Sequence, residues 1–91
     1  MERKILKANA SRSTVTFPNP GDDGYTLEQL KEAIGGGYIE VVSIPGVDQD
    51  KILVVDEDGH RKDLPYNHTA SYVAGQTIVG DALICLRTDI R

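Results

Sequence analysis

Cysteine is almost missing from this chain of 91 residues: Cys85 is the only one, and it lies inside an apolar run. A lone thiol builds neither a disulfide framework nor a thiolate zinc site, so the two devices that usually reinforce a small core are excluded. Long apolar runs are missing too. A bilayer-spanning helix needs about 20 consecutive apolar residues, and residues 1–10, MERKILKANA, carry no apolar segment of the kind a signal peptide requires. The expectation is a protein of the bacterial cytoplasm with no membrane contact. Basic residues are in deficit: 10 Lys and Arg face 14 Asp and Glu, giving a net charge of −4 and a pI near 5.0. Phosphate contacts need clustered Lys and Arg, so direct nucleic-acid binding is not expected. An acidic surface can instead imitate nucleic acid or dock on a basic protein. No internal repeat and no low-complexity stretch is present.

What is present is an ordinary globular composition, 40% hydrophobic and 26% charged. The length fits a single small domain over 1–91 and leaves no room for two cores. Residues 1–12 read as a loose or edge-strand arm and 87–91 as a polar tail. Packing has to supply the stability, with a homo-oligomeric interface as a further source. The most legible stretch is 25–42. Thr26 and Gln29 form a capping box, Tyr25 and Leu30 a hydrophobic staple, and Glu28 sits in the first turn, where the helix dipole favours a carboxylate. Leu27, Leu30 and Ile34 make a buried stripe with Ala33 at its margin, which predicts a helix over 26–34. Gly35, Gly36 and Gly37 end it, one of them in the left-handed conformation.

Strand signals surround this helix. Thr14-Val15-Thr16-Phe17 has strand composition. Residues 38–44 alternate as Tyr38, Glu40, Val42, Ile44 against Ile39, Val41, Ser43, with apolar residues in both sets, which predicts a central strand. A turn over 45–50 leads to a strand over 52–55, and Asp58-Gly59 closes a hairpin whose returning arm is 60–64. Residues 69–74 predict one or two helical turns before Gly75, and the apolar run 77–86 bends at Gly80-Asp81. The fold class expected is α+β: a mostly antiparallel four- to five-stranded sheet, one main helix packed on one face, and a short second helical turn.

The best candidate site joins Tyr38 and Glu40, at the strand entry after the glycines, to Tyr66, Asn67 and His68 in the loop after Pro65. Two tyrosines, an amide, an imidazole and a carboxylate can hold a small polar ligand by stacking and hydrogen bonding. The competing reading is structural: Asn67 serves its own turn and Glu40 faces water. His60 and His68 show no metal-ligand spacing with Asp56, Asp58 or Asp63, and Asp56-Glu57-Asp58-Gly59 lacks the later ligands of a calcium loop. No metal and no cofactor is expected. Cys85 reads as an inert buried thiol, Ser43 and Ser71 stand in no nucleophile motif, and the three glycines follow a helix where phosphate loops precede one.

Four ordered pieces, Gly37-Tyr38-Ile39-Glu40-Val41-Val42, residues 52–59 (ILVVDEDG), Leu64-Pro65 with Asn67 and Ala70, and Ile78-Val79-Gly80, resemble the DUF3846 family, a domain of unknown function of phages, plasmids and Gram-positive genomes. The resemblance spans roughly 26–86. Where the family has a second proline and a basic residue after the asparagine, this chain has Tyr66 and His68. The resemblance implies a mobile-element origin and an α+β domain. With no catalytic motif, the expected function is a non-enzymatic phage or mobile-element accessory protein that binds and modulates a host protein, such as a bacterial defence factor. The alternatives are a sponge for a small nucleotide-like ligand and, third, a small hydrolase or metal enzyme.

Overall fold

The computed structural model describes residues 2–9, 11, 13–46 and 50–90. Five strands, β1 (Lys4–Leu6), β2 (Thr14–Thr16), β3 (Ile39–Ser43), β4 (Lys51–Asp56) and β5 (Ala82–Leu86), form one sheet in the order β2-β1-β5-β4-β3. Every neighbouring pair is antiparallel. Two helices, α1 (Leu27–Ala33) and α2 (His68–Ala74), complete an α+β domain.

The period-two geometry of β4 explains the layering. Ile52 and Val54, with Leu83 and Cys85 of β5, face Leu30 and Ala33 of α1 and its capping residue Ile34. Leu53 and Val55, with Ala82, face Ala70 and Ala74 of α2. The sheet is therefore covered on both sides, and α2, which matches the one or two helical turns expected over 69–74 and starts one residue earlier, is the second cover. The reason is the uninterrupted run Ile52-Leu53-Val54-Val55. It is apolar on both faces, each buried side chain contributes about 1.5–3 kcal/mol, and each face needs a helix to collect that energy.

Local signals place α1 as expected. Thr26 Oγ1 accepts from the Gln29 amide at 3.1 Å and Gln29 Oε1 accepts from the Thr26 amide at 2.9 Å, while Tyr25 and Leu30 are buried in one cluster. Leu27 departs from its predicted place in the stripe and is 53% exposed. As the first helical residue it lies past the region that the sheet covers, beside a cleft shared with Ile39 and Ile90.

Four further expectations are corrected. β3 is an edge strand, not a central one. β1 lies inside the sheet, with β2 outside it. No returning arm follows Asp58-Gly59: the chain coils through 57–63, with Lys62 N–H on the Asp58 carbonyl and Leu64 N–H on the Gly59 carbonyl. Asp56 causes this, its Oδ1 accepting from the Asp58 amide at 2.8 Å and turning the chain away from β4. Finally, 87–90 is no free tail. Asp89 is buried and receives Arg3 through two bonds of 3.0 Å, and Ile90 bridges Tyr25. The predicted turn over 45–50 lies partly outside the described residues, as do Met1, Ala10, Arg12 and Arg91.

The glycine run sets the entry to β3. All three residues have positive φ, and a Cβ on Gly37 lies 2.9 Å from Asp56 Oδ2 and 2.6 Å from Lys62 Nζ, whereas one on Gly36 meets nothing. Gly36→Ala is expected to lose about 1–2 kcal/mol from backbone strain alone. Gly37→Ala adds displacement of the buried Asp56 carboxylate and its bond to Lys62 and is expected to lose roughly 1 kcal/mol more. Urea unfolding of the two variants measures the difference, and equal losses would remove the steric component.

Candidate functional site

The five residues singled out from sequence separate into two groups. Tyr66 and His68 meet edge-on at the start of α2, ring centroids 4.6 Å apart. Asn67 between them turns inward and is fully buried. Its Nδ2 donates to the Leu6 and Gly80 carbonyls, both at 2.8 Å, and its Oδ1 accepts from the Ala70 amide at 2.9 Å, capping α2. Both amide hydrogens are thereby used, so Asn67 has no donor left for a ligand.

Tyr38 and Glu40 belong instead to the rim of β3. Tyr38 is 67% exposed, with Lys31 Nζ 5.5 Å from its ring centroid. Its carbonyl accepts from the Glu57 amide at 2.9 Å. That bond sets the alternation along an antiparallel pair: residues 38, 40 and 42 direct their backbone groups to β4. Ile39, Val41 and Ser43 therefore direct their N–H and C=O groups outward. Among the described residues no strand pairs with this edge.

A cleft flanks the edge on each face of the sheet. On the α2 side, Glu40, Glu57, His60, Gln76 and Thr77 line a polar cleft of about 340 Å³. On the α1 side, Tyr25, Leu27, Leu30, Ile39 and Ile90 line a more apolar one of about 280 Å³. Val41, 42% exposed, shares the α1 face with Ile39. Sequence reasoning missed His60, Leu27 and Val41 as members of this rim. The available signal was the pair Glu40 and Ser43, one polar residue on each face of a five-residue strand.

The electrostatics of the rim are uneven. Burial alone raises the pKa of Asp56, but the Lys62 Nζ bond at 2.8 Å and the Asp58 amide outweigh it and leave the carboxyl below its ordinary value. Asp56 is thus a neutralised structural charge. Glu40 and Glu57 enter no salt bridge among the described residues. Among those residues no three His, Cys, Asp or Glu side chains gather as metal ligands. Cys85 is fully buried, which pushes its thiol up to about 12 and withholds it from nucleophilic chemistry. The rim offers main-chain hydrogen bonds, an apolar trough and two carboxylates. That equipment suits recognition.

The family model for the domain of unknown function DUF3846 matches residues 4–90. The chain belongs to the DUF3846 family. Comparison with curated proteins and with solved structures returned no match. The DUF3846 match takes in every strand and both helices, so the β3 rim is part of the family's domain and not an appendage to it. No helix among the described residues is long and apolar enough to cross a membrane.

Proposed function

We propose that this DUF3846 chain is a non-enzymatic accessory protein of a phage or mobile element that binds and modulates a host protein in the bacterial cytoplasm, a defence factor being the expected target. The observation that carries this reading is the unpaired β3 edge between two clefts. Exposed strand edges are normally blunted by charged side chains, Lys above all, by Pro or by a bulge, because they recruit other chains. β3 has no Lys, Pro or bulge across Ile39–Ser43, and its one charge, Glu40, leaves the edge open to a cationic partner, which supports a binding role.

The sponge reading has less support. A nucleotide-like ligand brings phosphates, and the larger cleft offers it Glu40 and Glu57. Purified chain is expected to form a stoichiometric complex with one purified host protein, weakened by salt, and to keep the same melting temperature with a panel of cyclic and linear nucleotides. A nucleotide that raises the melting temperature by several degrees, with no protein complex formed, would overturn the reading in favour of the sponge.

A further inference from the structure

We propose that the partner is held by strand addition at β3: an extended segment alternating apolar with basic residues pairs with the outer edge, apolar side chains toward Leu27 and Val41, basic ones toward Glu40 and Glu57. The inference rests on the protein-binding reading and specifies the partner's chemistry. Ile39, Val41 and Ser43 supply three outward N–H and C=O pairs, enough for a short ladder. An added strand sends successive side chains to opposite faces. On the α1 side they extend the row of Ile39, which lines the apolar trough with Leu27, and the exposed Val41 two residues on. On the α2 side they meet two carboxylates that have no salt-bridge partner among the described residues. Lys or Arg fits there, and Asp or Glu is repelled. The two faces together set the register, since a slip of one residue puts cations on Leu27 and Val41.

A second copy of this chain is a poorer occupant. β3 reads Ile-Glu-Val-Val-Ser and brings no cation to Glu40, and pairing two copies apposes two chains of net charge −4. The opposite edge, β2, is a weaker dock. It is three residues long and lines neither flanking cleft.

The test uses a capped peptide of alternating Ile and Lys, a control of the same composition in two blocks, and amide hydrogen exchange on the intact chain. The alternating peptide is expected to slow exchange at Ile39, Val41 and Ser43 by about tenfold or more, leaving the already paired amides of Glu40 and Val42 unchanged. Val41→Pro removes only an outward N–H, which an edge strand tolerates, and is expected to weaken binding about tenfold with the melting temperature kept. Glu40→Lys, an exposed substitution, is expected to weaken binding and flatten its salt dependence. Equal protection by the block peptide, no protection at saturating peptide, or protection without peptide that grows with protein concentration would each overturn the proposal, the last in favour of a dimer. A host protein that binds Val41→Pro as tightly as wild type leaves the protein-binding reading standing and removes strand addition.

Discussion

Asn67→Ala is expected to destabilise the domain by roughly 3 to 4 kcal/mol, from about 1 for the lost cap of α2 and at least 1 for each carbonyl deprived of its donor. Small domains have only about 5–15 kcal/mol in total, so a melting-temperature drop on the order of 20 °C should follow. The side chain joins three segments far apart in sequence: Leu6 at the end of β1, Gly80 at the bend before β5, and Ala70 in the first turn of α2. Asn67→Asp separates its roles. A carboxylate still caps the helix, yet it sets an oxygen against the Leu6 and Gly80 carbonyls, so this variant should lose nearly as much stability as the alanine. A capping role alone predicts a harmless Asp, and a ligand-binding role predicts two variants with unchanged melting temperature. Thermal unfolding followed by circular dichroism decides among the three.

The same residue shows where sequence reading works and where it stops. Signals confined to a few neighbouring residues are legible: the Thr26–Gln29 box and the Gly75 stop of α2 lie within their own turns. Asn67, with the Gly75 stop beyond it, carries a capping signal of the same kind and starts the helix at His68, one residue before the predicted Thr69. Its bonds to Leu6 and Gly80 span 61 and 13 residues and leave no local trace. The Arg3–Asp89 pair, 86 residues apart, is hidden in the same way and converts an apparent tail into part of the structure.

β3 fails for a different reason. Apolar residues on both faces of a strand normally mean a central position, and here that pattern belongs to an edge flanked by two clefts. The sequence property is real, and the cover is what is missing. Val42 is buried under α2, while Val41, on the opposite face with Ile39, is exposed. The feature that misleads a fold assignment is thus the one on which the proposed binding role rests. Tyr38 and Glu40 lie at the β3 edge, whereas Tyr66 and His68 flank the inward-turned Asn67 at the start of α2, a separation that follows from the long-range bonds of Asn67.

Alkaline unfolding between about pH 9 and pH 12 is the other large effect expected, and it follows from two buried neutral acids. Burial, followed by the Asp89 charge, pushes the Cys85 thiol from 9.0 up to about 12 and the Tyr25 phenol from 10.0 up to about 12. Each group has a folded pKa above its unfolded one, so its contribution is complete below the unfolded value and is lost as pH rises toward the folded value. At about 1.4 kcal/mol per unit, roughly 4 for the thiol and 3 for the phenol, the sum approaches the whole stability of a small domain. The phenol loses more than solvation on ionising, because Tyr25 Oη donates to the Pro18 carbonyl at 2.6 Å. The acid limb runs the other way. Burial would raise Asp89, but the Arg3 bond and the Leu86 amide outweigh it, and Asp56 is lowered similarly, so their contribution is present above about pH 4 and fades as pH falls further. Circular dichroism against pH should show both limbs. Cys85→Val, close in volume and without a proton to lose, should move the alkaline midpoint upward, and an unmoved midpoint would clear the thiol. Arg3→Ala leaves Asp89 buried without its cation, so the acid limb should shift toward neutral pH.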